Sequence, residues 1–386
     1  MEPTPCLEEQ RLAADALRSA NWKRWGTYLS ERQWATVRED YSDDGDSWNS
    51  FPHEHARSRA YRWGEDGLLG FADRECRACF ALALWNGKDP LLKERLFGLT
   101  GTQGNHGEDV KEQYFYLEAT PTYSYAKALY KYPQAEFPYE ALVAENRRRG
   151  KHDPEFELVD TGVFDGDRYF DIFAEYAKHS PNDILIRVTV ANRSSEEATL
   201  HLLPSVWFRN TWSWGQIDEG YETKPWIALG GENSFLLEHE TLGRFCLEFG
   251  RNPNGQLPDV LFTENETNTR RLWGTEPEGE FVKDAFHDYV IRGDSKAVNP
   301  NKTGTKAACH YVLRVPPGAS QTVSLRLFAD NEAPGDPLGP AFGQIFEERI
   351  KESSDFHSGL CCAKLNEAER AILYQGVAGM VWSKQF

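Results

Sequence analysis

Residues able to hold a sugar are concentrated in three stretches of the sequence. GNHGEDVKE carries Asn105, His106, Glu108 and Asp109 between glycines. Glycine lets backbone approach a ligand closely, while amide, imidazole and carboxylate groups bind hydroxyls. WFRNTWSWG sets Trp207, Trp212 and Trp214 around Arg209 and Asn210. On an extended strand Trp212 and Trp214 share one face, and paired indoles form an apolar platform with hydrogen-bonding tips, suited to a pyranose ring. RWGEDG adds Trp63, Glu65 and Asp66. The substrate-binding candidates are therefore Trp63, Glu65, Asn105, His106, Glu108, Asp109, Asn210, Trp212 and Trp214. Each stretch also has a plainer reading, as a polar loop or as indoles filling the junction between a sheet and another domain.

Glycoside hydrolysis needs two carboxyl groups about 5 to 9.5 Å apart, one of them kept protonated by its surroundings. Glu65, Asp66, Glu108 and Asp109 offer carboxyls, but chain spacing sets no two of them on a common bond, so no catalytic residue is named. Lys111 and Glu112 read as local ion pairs. CRAC, from Cys76 to Cys79, has metal-like spacing without a second CxxC, and its apolar setting favours packing. No GxxxxGK[ST], HExxH or GxSxG is present, and no GxGxxG follows a strand, so neither cofactor nor metal is expected.

The elements that must position these groups are mainly strands. Phe170, Ile172, Ala174 and Tyr176 alternate, as do Ile184, Ile186, Val188 and Val190, with Arg187 and Thr189 on the opposite face. Strands are also expected in ATLHLLPSVWFRN, NSFLLEHE, RFCLEFG, DVLFTEN, CHYVLRV and TVSLRLFA, the last two joined as a hairpin by PPGASQ. This spacing, without helical crossovers, predicts an antiparallel β-sandwich. Helices frame it. One is expected over 7–38, with Leu12, Ala16 and Ala20 in a stripe beside Ala13 and Leu17, and a short one over 138–149. Two more follow the Pro/Gly-rich segment 331–341, over 342–354 and from Asn366. Asn366 and Glu369 form a capping box there, ahead of the stripe Leu373, Val377, Met380 and Val381. The domains expected are an N-terminal helix and polar loop (1–60), the sandwich (61–330), a helical linker (331–365) and a further helix (366–386).

The chain of 386 residues has 43 Lys plus Arg against 60 Asp plus Glu, a net charge of -17, which disfavours binding along a nucleic-acid backbone. Its hydrophobic fraction of 40% is enough for a core, and 12 Trp, 16 Tyr and 22 Phe make it rich in aromatic rings. No apolar run approaches the roughly 20 residues of a membrane span. The N-terminus lacks the pattern of an export signal, and seven scattered cysteines suit a reducing compartment, so a cytoplasmic location is expected.

YRWGEDGLLGFAD, the long stretch from CFALALWNG to YKYPQ, LPSVWFRNTWSWG and the closing AGMVWSKQF together resemble the N-terminal part of proteins related to glycoside hydrolase family 63. This group holds processing α-glucosidases and mannosylglycerate-hydrolase-like relatives, and the likeness runs over nearly the whole chain. It implies a β-supersandwich flanked by N-terminal and C-terminal helices and joined by a helical linker to an (α/α)6 barrel that carries the general acid and base. The sequence supplies the sandwich, the linker and the first barrel helix, so no family catalytic residue maps onto it. The expected function is that of an accessory domain of an α-glucosidase acting on α-linked oligosaccharides, inactive alone, with oligosaccharide and the barrel as partners. The alternative is a free-standing carbohydrate-binding or scaffold protein. The loop 104–109 and the segment 207–214 are expected to lie together on the side facing the barrel.

Overall fold

The computed structural model describes residues 5–29, 41–45, 50–62, 64–98, 110–218, 220–360 and 365–383. The fold is mainly β, as expected, with two antiparallel sheets packed face to face. The smaller sheet runs, in spatial order, β1 (Trp25–Gly26), β2 (Leu68–Asp73), β3 (Ala78–Trp85), β8 (Ala198–Phe208), β14 (Lys306–Val315) and β12 (Asp259–Thr263). The larger runs β13 (Thr303–Gly304), β9 (Trp226–Leu229), β10 (Ser234–His239), β11 (Gly243–Phe249), β15 (Ser320–Ala329), β7 (Asp183–Asn192), β6 (Tyr169–Ser180), β5 (Tyr125–Pro133) and β4 (Gln113–Ala119). No helix among the described residues is long and apolar enough to cross a membrane.

The period-two alternation of the sequence becomes the core. Phe170, Ile172, Ala174 and Tyr176 of β6 are fully buried, with Ile184, Ile186, Val188 and Val190 of β7 beside them. Arg187 instead points outward to Glu175 (3.0 Å). The sheets are tied across the core where Phe71 stacks on Tyr176, with centroids 4.6 Å apart. The Tyr176 hydroxyl donates to the Leu69 carbonyl at 2.6 Å. That carbonyl is available because the β2–β3 register slips between Leu68 and Phe71, with Leu69 at a positive φ of 53°. A buried phenol is thereby satisfied by a bulge.

Three expectations are corrected. First, CHYVLRV and TVSLRLFA are both strands, β14 and β15, but they do not form a hairpin. The turn closes, with Ala319 N donating to Pro316 O at 3.1 Å and Gly318 at φ 64°. Beyond it the strands part: β14 pairs with β8 and β12, and β15 with β11 and β7. Tyr311, Leu313 and Val315 are buried, as are Val323, Leu325 and Leu327, and placing one strand in each sheet turns both apolar faces toward one core. Second, the first helix, α1, spans only Leu7–Ala16, and Arg18 leaves it with φ 57°. Third, it docks by a polar face. Glu8 and Arg11 are buried while Leu17 is exposed. Glu8 accepts from Thr122 N and Ser124 Oγ, both at 2.7 Å, and Arg11 pairs with Glu352.

The remaining helices clamp the sandwich. α2 (His53–Ala56), α3 (Tyr139–Arg148), α4 (Thr269–Trp273) and α5 (Ala285–Arg292) lie in connections between strands. α6 (Ala341–Gly359) covers the larger sheet by setting Phe342, Ile345 and Phe346 on Tyr125, Ala177 and Leu185. α7 (Glu367–Trp382) begins with the Asn366–Glu369 capping box and buries Ala378 and Trp382, whose indole stacks on Tyr116 of β4 (5.1 Å).

Candidate functional site

The chain leaves β8 at Phe208 and turns sharply. Asn210 makes that turn: its Oδ1 accepts from Ser213 Oγ (2.7 Å) and Ser213 N (3.2 Å), and its Nδ2 donates to the Asn265 carbonyl (2.9 Å). Asn210 is 3% exposed, so its amide is engaged within the protein. Trp212–Trp214 then form a 3-10 turn, closed by Gly215 at φ 69°. This corrects the extended-strand expectation. With three residues per turn, positions two apart point about 240° apart, so the two indoles do not share a face. Trp212 donates Nε1 to Glu266 (3.1 Å) and packs on the core, whereas Trp214 meets Tyr221 edge to face (5.3 Å).

Trp214 lines a cleft of about 430 Å³ with Tyr41, Arg59, Arg62, Gln216, Thr267 and Trp273. Trp273 ends α4, a helix capped by Asn268 Oδ1 accepting from Arg271 N (3.0 Å) and stopped by Gly274 at φ 71°. Its indole is 55% exposed. The Arg59 guanidinium lies over three rings: Tyr41 at 4.0 Å, Phe51 at 4.8 Å and Trp273 at 5.5 Å. Burial pulls its pKa down, opposed by Tyr41. Thr267 Oγ1 accepts from Ala60 N (3.0 Å), and the Tyr41 hydroxyl accepts from Arg62 N (2.6 Å), which fixes the cleft wall.

Below the cleft lies a buried ion network. Glu65 is 1% exposed and accepts from Asn265 Nδ2 (2.9 Å). Burial pushes its carboxyl up, and the nearby Lys283 ammonium opposes that. Asp66 pairs with Arg95 (3.1 Å), and Glu94 with Lys306 (3.0 Å). Burial pushes Glu94 up, but Lys306 and Arg95 together hold it below the usual carboxylate range. Lys283 donates to the Arg59 carbonyl (2.9 Å) and sits 3.7 Å from the centre of the Tyr61 ring. Burial pulls it down to about 8, against the attraction of Glu65. The free space between these groups is about 20 Å³, room for about one water. Glu65 and Asp66 are thus enclosed, balanced by cations, and closed to a saccharide.

Of the residues singled out by type and spacing, Trp63, Asn105, His106, Glu108 and Asp109 lie outside the described residues, as does the loop expected beside 207–214. Glu65, Asn210, Trp212 and Trp214 fall at one end of the smaller sheet, and Trp214 alone among them lines the cleft. Tyr41, Arg59 and Trp273 were missed. The spacing of Asn268 and Gly274, cap to stop, was the available signal for the short helix that carries Trp273. Cys76 and Cys79 bring their sulfurs within 3.4 Å as buried free thiols, and burial pushes the Cys79 thiol well up. Among the described residues no group of three or more His, Cys, Asp or Glu could hold a metal ion.

No family model matches the chain. An uncharacterized protein of Saccharomyces cerevisiae is 42% identical over 422 residues. Two solved structures share limited likeness. A polysaccharide lyase is 12% identical, covering 70% of this chain and 27% of its own, with a TM-score of 0.28. A putative kojibiose phosphorylase from the human microbiome is 8% identical, covering 90% and 36%, also at 0.28. Likeness this low transfers neither fold nor activity. The informative relative is the yeast protein: the match takes in 98% of this chain and spans 38% of the yeast protein's length.

Proposed function

We propose that the chain is the saccharide-binding β domain of a family 63-like α-glucosidase, and that bond cleavage is carried by residues outside it. The observation that carries this reading is the cleft at Trp214. It offers the ring faces of Tyr41, Trp214 and Trp273 together with hydrogen-bonding groups from Arg62, Gln216 and Thr267. Apolar faces with a few fixed polar groups are what a pyranose needs, since its C–H faces stack and its hydroxyls bond at the edge. No carboxylate lines the cleft among the described residues, and Glu65 and Asp66 are engaged by cations beneath it. Binding is therefore favoured over hydrolysis. Docking of an (α/α)6 barrel on α7 is supported by Ile372 and Met380, which are 72% and 80% exposed on a helix otherwise anchored by Trp382.

Calorimetry of the purified chain with maltotriose tests the reading. Binding is expected without release of reducing sugar, and Trp214→Ala and Trp273→Ala should each weaken it about tenfold, equivalent to about 1.4 kcal/mol. Unchanged affinity in both variants would remove the cleft from the proposal. Reducing sugar released by the chain, and lost in Glu65→Gln, would show that it is a hydrolase itself.

A further inference from the structure

A second concavity lies at the other end of the smaller sheet. β14 starts beside the buried network, where Lys306 pairs with Trp207, and runs away from it through His310, Val312 and Arg314. These three residues, the turn 252–258, Asp259 and Gln321 enclose a groove of about 450 Å³, within the size range of small-ligand sites. The groove is polar, and its polar groups are incompletely used. Asn252 Oδ1 and His310 Nδ1 are buried without a hydrogen-bond partner. Asp259 and Arg314 are exposed and make no ion pair among the described residues.

His310 has an unusual neighbour. Its Nε2 lies 2.8 Å from His201 Nδ1, the two rings nearly stacked with centroids 5.0 Å apart. Burial holds both imidazoles below their ordinary value, His310 at about 4 with His201 adding to the effect. At neutral pH both are uncharged and one hydrogen lies between them. If His201 donates it, the remaining hydrogen of His310 must sit on Nδ1, which is then a donor. If His310 donates, Nδ1 is an acceptor. The orphan nitrogen on the groove's residue can therefore take either role, as a hydroxyl can.

We propose that this groove binds a neutral glycosyl unit, with its C–H face on Val312, its hydroxyls between Asp259 and Arg314, and His310 as the floor. Val312 is 43% exposed and gives the apolar surface. Asp259 accepts from one pair of neighbouring hydroxyls, Arg314 donates to another, and their opposite charges balance, which disfavours a charged ligand. Only the choice of a saccharide rests on the reading proposed above; the groove and its unused polar groups stand apart from it.

The test is a titration of the full chain with maltotriose, followed by nitrogen NMR of the histidine rings and of the tryptophan indoles. The His310 nitrogens should shift, with Asp259→Asn and Arg314→Leu each weakening that response about tenfold, and Trp214→Ala leaving it unchanged. Shifts confined to the indoles would overturn the groove while sparing the cleft. A His310 response with silent indoles would uphold the groove and remove the cleft. Silence at both would overturn both.

Discussion

Lys283 answers two demands at once: its ammonium neutralises Glu65 below and donates to the Arg59 carbonyl that forms the cleft wall above. Lys283→Met leaves the partly buried Arg59 carbonyl without its donor and should cost about 1–3 kcal/mol in urea denaturation. The same substitution has a pH signature. Burial pulls the lysine pKa down to about 8 in the folded protein against an ordinary 10.5 in the unfolded chain, so between these limits the unfolded chain holds more protons. Stability from this group therefore rises as pH goes from about 8 to 10.5 and is lost as pH falls back through that window. The difference in unfolding free energy between wild type and Lys283→Met should widen over that range. A gap independent of pH would mean that the lysine keeps its ordinary pKa.

Helices here are held by a few specific side chains, and α7 shows it most sharply. Trp382 is fully buried against Tyr116, while Ile372 is 72% exposed. Trp382→Ala should cost about 3–5 kcal/mol by urea titration, and Ile372→Asp within about 0.5 kcal/mol. Equal losses would show that the helix docks by both faces. The cap of this helix was legible in the sequence, since Asn366 and Glu369 form a local pattern that needs no tertiary partner. So were the faces of β6 and β7, because a sheet buried on one side imposes period two. The docking of α1 was not legible. Apolar spacing points to Leu12, Ala16 and Leu17, yet Glu8 and Arg11 face inward because their partners, Thr122, Ser124 and Glu352, are more than a hundred residues away. For the same reason the geometry of WFRNTWSWG was not legible: nothing within it announces that Asn210 will fold it into a 3-10 turn. Arg59 and Tyr41 came into the cleft from a stretch that reads only as polar loop.

At the scale of the whole molecule, the net charge of -17 surrounds a cleft whose proposed ligand is neutral. Long-range attraction then plays no part in binding. The dissociation constant for maltotriose should stay constant as salt is raised, since screening acts on charge pairs and leaves stacking untouched. A steep salt dependence would point to a charged ligand group instead. The crossing of β14 and β15 between the sheets bears on how the protein is made. β15 is the strand that joins β7 to β11, and β14 is the one that joins β8 to β12. On the ribosome these strands emerge last, so both half-sheets wait for them. At about 5–20 residues per second, roughly ten seconds of synthesis separate β7 from β15. During that interval the nascent chain carries an open hydrogen-bonding edge on β7, joined in turn by edges on β8 and β11, the kind of edge that recruits another strand. Keeping those edges covered until residue 329 has emerged is the demand this topology places on the folding chain.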